Sequence, residues 1–218
     1  MNPRLLRTTG YYALACALLI AALFFWVDRP VDLAASGLKG GVLYQAAQTI
    51  CLAADHDLFN LALFAALLYC GAAALGRGLT PGLRLCLYCC LAVALTMVIG
   101  ETLKWFFGRY RPEMFFTQGL YGFSFFADKG SLHSFPSGHT MRIFSAATAL
   151  SMVWPRARAW LLGFAGLVGV GRVIVTRHYP SDVVAGVFVG VFCALWVWQI
   201  MLAWKQEKES ASLMTKPS

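Results

Sequence analysis

Charge is what this sequence has least of. Only 13% of its 218 residues are Asp, Glu, Lys or Arg, against 59% hydrophobic. A soluble domain carries about 25% charged residues, so the composition points to a membrane protein. Acidic side chains are the scarcest, ten against eighteen Lys and Arg. The resulting charge of +8 would suggest nucleic acid in a soluble chain. Here the cations are scattered between apolar runs instead of forming one stripe, so no nucleic-acid partner is expected. Positive-inside topology plus an anionic substrate accounts for them better. Low-complexity tracts and soluble-domain linkers are absent too. So is a convergent set of carboxylates for a divalent cation; Asp55-His56-Asp57 is the sole candidate and reads as a solvent-exposed helix cap. The seven cysteines give neither a disulfide framework nor a zinc site. Cys16, Cys70, Cys86, Cys89, Cys90 and Cys193 lie inside apolar runs, and Cys51 has no obvious partner.

What the chain has in abundance is apolar length. A spanning helix needs about 20 predominantly apolar residues. Six segments meet or approach this: Tyr11–Val27, Leu58–Leu75, Leu85–Leu103, His139–Val153, Ala159–Thr176 and Val183–Trp204. The fourth is short unless its polar start is counted. The first follows a basic start, as a signal peptide would, but it is long for one and no A-x-A site follows it, so a retained anchor is expected. The fold class expected is all-α: a six-transmembrane-helix bundle forming a single membrane domain over residues 1–218. Residues 205–218 read as a polar, disordered cytoplasmic tail.

Basic residues orient the bundle. Arg4 and Arg7 precede the first helix, Arg77 and Arg84 join the second and third, Arg156 and Arg158 join the fourth and fifth, and Lys205 and Lys208 follow the sixth. With six alternating helices all of these fall on one side, which positive-inside topology makes cytoplasmic, both termini included. The opposite side receives 28–57, 104–138 and 177–182. The first of these holds "VLYQAAQTICLAA", an interfacial helix. The second carries Trp105, Phe106, Phe107, Phe115, Phe116, Phe123, Phe125 and Phe126, a density suited to anchoring at the membrane–water boundary. Gly186-x-x-x-Gly190 and the glycines of "GFAGLVGVG" read as sites of close helix packing.

Packing does not explain three polar stretches at the outer helix ends: "KWFFGRYRP", "PSGH" and "GRVIVTRHYPSD". Phosphoryl transfer needs positive charge on the non-bridging oxygens, a nucleophile, and an acid for the leaving group. Lys104, Arg111 and Arg172 supply charge, the arginines as planar forks matched to phosphate oxygens. Ser137 and Gly138 precede a helix start, where unpaired N–H groups and the helix dipole favour an anion. His139 and His178 would face one pocket. Asp182, four residues after His178, can hold one imidazole nitrogen and leave the other as nucleophile. Arg142, one turn after His139, reads as a contact to a second substrate anion or as a partner of Glu101, and Glu101 as a residue orienting Lys104 or Arg142.

The spacings K-x6-RP (Lys104 to Pro112), PSGH (Pro136 to His139) and R-x5-H-x3-D (Arg172, His178, Asp182) resemble the type 2 phosphatidic acid phosphatase family. The family's third motif begins with a serine, and Gly171 stands in its place. The resemblance implies that His178 attacks phosphorus to form a phosphohistidine, that Asp182 orients His178, and that His139 protonates the leaving oxygen and then activates water. It implies that Lys104, Arg111, Arg172, Ser137 and Gly138 hold the phosphate, with no metal and no cofactor. The expected protein is then a lipid phosphatase of the bacterial inner membrane, acting on a lipid phosphate at the periplasmic face. Candidate substrates are lipid A, undecaprenyl diphosphate, phosphatidylglycerol phosphate and phosphatidic acid. A lipid-to-lipid phosphotransferase could use the same residues. An anion transporter is disfavoured, because charge stops near the outer helix ends.

Overall fold

A computed structural model describes residues 3–76, 78–127 and 130–214; Met1, Asn2, Arg77, Asp128, Lys129 and the last four residues lie outside them. Most of the described residues are helical, with no strand among them. The helices are α1 (Pro3–Ala22), α2 (Asp28–Ser36), α3 (Val42–Cys51), α4 (His56–Gly76), α5 (Pro81–Phe107), α6 (Pro112–Gln118), α7 (Gly138–Val153), α8 (Arg158–Ile174) and α9 (Pro180–Met214). One π-helical turn, Leu23–Val27, joins α1 to α2.

Five stretches among the described residues are long and apolar enough to cross a membrane: Pro3–Ser36, Phe59–Gly76, Pro81–Phe107, Pro155–Ile174 and Pro180–Trp204. The first is longer than the apolar run alone suggests, because the helix continues through the π turn into polar α2. The expected fourth span, α7, has only 16 residues. It starts after the Pro136-Ser137 turn and stops before Pro155, whose ring cannot continue a helix. It compensates by being central. Thr140, Arg142, Ser145, Thr148 and Ser151 are all buried between α5, α8 and α9. The tail read as disordered continues α9 to Met214, in keeping with the strong helix propensities of its Lys, Gln, Glu and Ala residues.

Lipid is no less apolar than leucine, so helices associate there by close packing of small residues. Gly186 and Gly190 do this on α9. A Cβ on Gly186 would lie 2.9 Å from Thr140 Cβ, and one on Gly190 would lie 2.5 Å from the Met141 carbonyl oxygen. The latter neighbour is backbone and cannot swing aside. Gly190→Ala is therefore expected to force α7 and α9 apart, costing about 1–3 kcal/mol, read as a lowered unfolding midpoint in detergent. Gly163→Ala, which faces open space on α8, is the control expected to leave that midpoint unchanged. Outward-facing Leu18, Phe64, Leu68, Val98 and Leu167 are more than half exposed, which is the surface a bilayer would cover.

Candidate active site

Four helix ends meet at one end of the bundle: the C-termini of α5 and α8 and the N-termini of α7 and α9. The end of α5 shows how the sequence builds this. Gly108 closes α5 in the left-handed region at φ 54°, and its N–H returns to the Lys104 carbonyl. A Cβ there would lie 2.7 Å from the Ser124 carbonyl oxygen, so both conformation and space demand glycine. The chain then turns inward. Arg109 bridges to Phe123, and Arg111 is pinned by its Nε on the Gly130 carbonyl at 3.0 Å and its Nη2 on the His133 carbonyl at 3.2 Å.

The α7 and α9 N-termini are stitched together directly. The Ser137 N–H donates to the Asp182 carbonyl at 3.0 Å, so PSGH and the R-x5-H-x3-D motif share one end of the bundle. His178 and Arg172 lie within electrostatic reach of His139. Arg111, Arg172 and Lys104 are all close enough to act on His178. Gly138 matters for a reason its motif does not show: a Cβ there would sit 3.2 Å from Lys104 Nζ and 3.6 Å from Arg142 Nη1. The missing side chain lets two cations reach the head of α7. Lys104 is held in turn by Glu101 at 2.6 Å, which is the orienting contact expected of Glu101. Arg142 donates to the Ala54 carbonyl at 3.2 Å and approaches His139 Nδ1 at 3.5 Å.

His178 is buried, and the polarity of its ring can be read from its neighbours. Nδ1 lies 2.8 Å from the Ser134 carbonyl and 3.5 Å from Asp182 Oδ2. A carbonyl only accepts, so Nδ1 carries the proton and Nε2 keeps its lone pair. Burial first, then Arg111, Arg172 and Lys104, push the imidazole well below the ordinary histidine range. It is therefore neutral at pH 7. Asp182 is otherwise engaged. Its Oδ2 accepts from Ser134 Oγ at 2.6 Å and from the Tyr179 N–H at 3.0 Å, while Oδ1 receives Arg109. The carboxylate thus grips the two backbone segments that carry the His178 contact.

Sequence reasoning did not single out Ser134, Arg109, Asp28 or Ser181. Arg109 carried a signal, being an unassigned charge inside K-x6-RP. The aromatic segment also does more than anchor. Phe123, Phe24, Tyr121 and Tyr179 all lie with ring centroids 4.4–5.6 Å from the Arg109 guanidinium carbon, whereas Trp105, Phe125 and Phe126 stay about half exposed. Within "VLYQAAQTICLAA" the helix is α3, Val42–Cys51, and it explains Gly171. A Cβ at that position would lie 3.0 Å from Cys51 Sγ and 3.4 Å from the Ala47 carbonyl oxygen, so α3 occupies the space a serine would need. The Cys51 thiol instead lies against Arg172. Asp55 caps α4 through the Asp57 N–H at 3.1 Å, as read from sequence. Between α3 and the histidine end opens a cavity of about 200 Å³, lined by Gln48, Cys51, Asp55, His139, Arg172 and Arg177 among others. No cluster of three or more His, Cys, Asp or Glu suited to a metal occurs among the described residues.

These are the features of a multi-pass membrane protein with a basic, histidine-bearing pocket at one end of its bundle. The chain belongs to the PAP2 superfamily, whose family model matches residues 85–206. It is 34% identical over 108 residues to the lipid A 1-phosphatase of Rhizobium johnstonii, covering 50% of this chain and 44% of that protein. It is 31% identical over 102 residues to the undecaprenyl-diphosphatase of Sulfolobus acidocaldarius, covering 46% and 47%. The chain thus spans about half the length of the curated relatives it matches. Its fold is similar to that of the first transmembrane PAP2-type phosphatidylglycerolphosphate phosphatase from Bacillus subtilis. That match has a TM-score of 0.60 at 20% identity and covers 89% of this chain and 96% of the other.

Proposed function

We propose that the protein is a membrane lipid phosphatase that works through a phosphohistidine at His178. The observation that carries this reading is the His178 ring: neutral, held through Nδ1 by the Ser134 carbonyl, and surrounded by Lys104, Arg111 and Arg172. In the first step Nε2 attacks phosphorus and the bond to the lipid oxygen breaks, with His139 giving that oxygen its proton. In the second, His139 takes a proton from water. The hydroxide attacks phosphorus, the P–N bond breaks, and inorganic phosphate leaves with His178 neutral again. The three cations and the head of α7 hold the non-bridging oxygens throughout. No metal takes part in this scheme.

All six helices α1, α4, α5, α7, α8 and α9 cross the bilayer in this reading, α7 shielded within the bundle. Arg4, Arg7, Arg84, Arg156 and Arg158 lie at the helix ends opposite the site, which supports cytoplasmic termini and a site on the outer, periplasmic face. Within the candidate lipids we favour the glycosyl phosphate of lipid A. The cavity beside His139, where the leaving group departs, is lined by Gln48, Asp55 and Arg177, a hydrogen-bonding surface suited to a hydroxylated sugar rather than a bare polyprenyl chain. The relative with lipid A 1-phosphatase as its name supports the same choice. The test is phosphate release by the purified protein from lipid A, undecaprenyl diphosphate, phosphatidylglycerol phosphate and phosphatidic acid, with His178→Ala as the blank. Phosphate from none of them, with labelled phosphate recovered on an acceptor lipid, would make the protein a phosphotransferase instead.

A pH prediction follows from the same ring. The attacking form of His178 is neutral, so kcat/KM rises with pH through its pKa, and the depressed value places that rise well below pH 6.5. Arg111 is the cation that contributes most to the depression. Arg111→Gln removes a positive neighbour, stabilises the imidazolium, and is expected to move the acid limb to higher pH. An unmoved limb would mean that His178 is not the group being titrated.

A further inference from the structure

Outside the matched family region lies a carboxylate that reaches the nucleophile through a continuous chain of bonds. Asp28 opens α2, directly after the π turn, and is fully buried. Its Oδ2 receives Arg109 Nη2 at 2.7 Å and the Ser181 hydroxyl, and its Oδ1 receives the Ser181 N–H at 3.0 Å. Arg109 Nη1 donates to Ser181 Oγ at 2.6 Å and to Asp182 Oδ1. Asp182 holds Ser134 Oγ and the Tyr179 N–H, and the Ser134 carbonyl holds His178 Nδ1. The π turn belongs to this arrangement. The Phe24 carbonyl accepts the Tyr121 hydroxyl at 2.7 Å, and Tyr121 in turn lies 3.3 Å from Arg109 Nη2. Such turns concentrate at functional sites. Asp28, Arg109 and Asp182 are all 0% exposed, where a guanidinium shared by two carboxylates is rigid because every alternative leaves a bare buried charge.

The geometry points to Asp28 as a positioning residue for His178: through Arg109 and Ser181 it fixes Asp182, and through Asp182 it fixes the backbone carbonyl that sets the tautomer and aim of the imidazole. This deepens the phosphatase reading and rests on it for its kinetic consequence, but not for its structural one. The first helix is then a working part of the centre. Asp32, one turn further along α2, supplies the comparison. It is equally buried, but neither of its oxygens has a hydrogen-bond partner, so it stands outside the chain of bonds.

The test uses the full-length protein in detergent with Asp28→Ala, Asp28→Asn, Ser181→Ala and Asp32→Asn, read in two ways. Turnover is normalised to the folded, monodisperse fraction on size exclusion in detergent, so that misfolded protein does not count. The His178 tautomer is read by 15N chemical shifts of histidine-labelled protein, which needs no substrate. Asp28→Ala is expected to lower kcat about a hundredfold with KM unchanged, the scale of a small misplacement of a reacting group. Asp28→Asn, which keeps the Ser181 N–H contact, should fall between Asp28→Ala and wild type. Both should replace the single Nδ1–H signature with a mixture, while Asp32→Asn keeps wild-type kcat and signature. If Asp28→Ala does not fold, Asp28→Asn and Ser181→Ala decide. Wild-type kcat and signature in those two, with only a lowered unfolding midpoint, would overturn the inference and leave Asp28 a structural residue. If the wild type releases phosphate from no lipid, the functional reading fails, and the 15N signature alone still upholds or overturns the positioning role.

Discussion

His178→Asn is expected to abolish phosphate release, with a loss of about 10⁴-fold or more in kcat, as for other single removals of a nucleophile. The substitution is chosen for its shape. An asparagine amide can still donate toward the Ser134 carbonyl, so the buried acceptor keeps a partner, and no charge is lost from a ring that is already neutral. What disappears is the Nε2 lone pair. Lys104, Arg111 and Arg172 remain, so lipid binding should survive, and the effect should fall on kcat rather than KM. Labelled lipid quenched at alkaline pH should leave an acid-labile phosphate on the wild type and none on the variant. If the variant stayed within about tenfold of the wild-type rate, the loss would be too small even for a general acid or base, which supplies about 10²–10⁴-fold. His178 could not then be the nucleophile.

The second large effect is on folding. Arg109 is 0% exposed and stands between Asp28 and Asp182, also 0% exposed. Burial disfavours its charge, but the two carboxylates more than restore it and hold its pKa above the ordinary arginine value. Arg109→Ala would leave two carboxylates in a dry site without their cation. Breaking a buried pair in this way costs about 3–5 kcal/mol, and here four aromatic rings lose their packing partner as well. Denaturation in detergent should show a loss of this size. Arg109→Lys should recover only part of it, because a point charge cannot serve Asp28, Asp182 and Ser181 at once as the fork does. A stability change below about 1 kcal/mol for Arg109→Ala would place the pair among weak surface bridges and remove the basis for its organising role.

The parts of the site that were legible in the sequence are those whose chemistry resides in side chains at short, fixed spacings. Lys104 to Pro112, Pro136 to His139 and Arg172 to Asp182 could each be read because one helix turn or one loop sets their geometry. The glycines of α9 were legible as packing for the same reason. Ser134 was not, because its contribution is a backbone carbonyl, and any residue type presents one. Asp28 was not, because its partners stand 81 and 153 positions away, and only the packed bundle brings them together. The role of Asp182 was legible only in outline. Four residues of separation put it near His178, but whether its oxygens face the ring or the surrounding backbone depends on Arg109, Ser134 and Tyr179. Gly171 looked like a departure from pattern until α3 was seen filling the volume above it.

The Asp28–Arg109 pair also bears on how the protein matures. Arg109 emerges on the polypeptide long before Ser181 and Asp182 exist, and its earliest available counterion is on the opening transmembrane segment. Docking of that segment gives the guanidinium its first home, and the closing segment then arrives at a half-built socket. Closure of the socket around Arg109 therefore waits on α9, and with it the fixing of Asp182, Ser134 and the His178 ring.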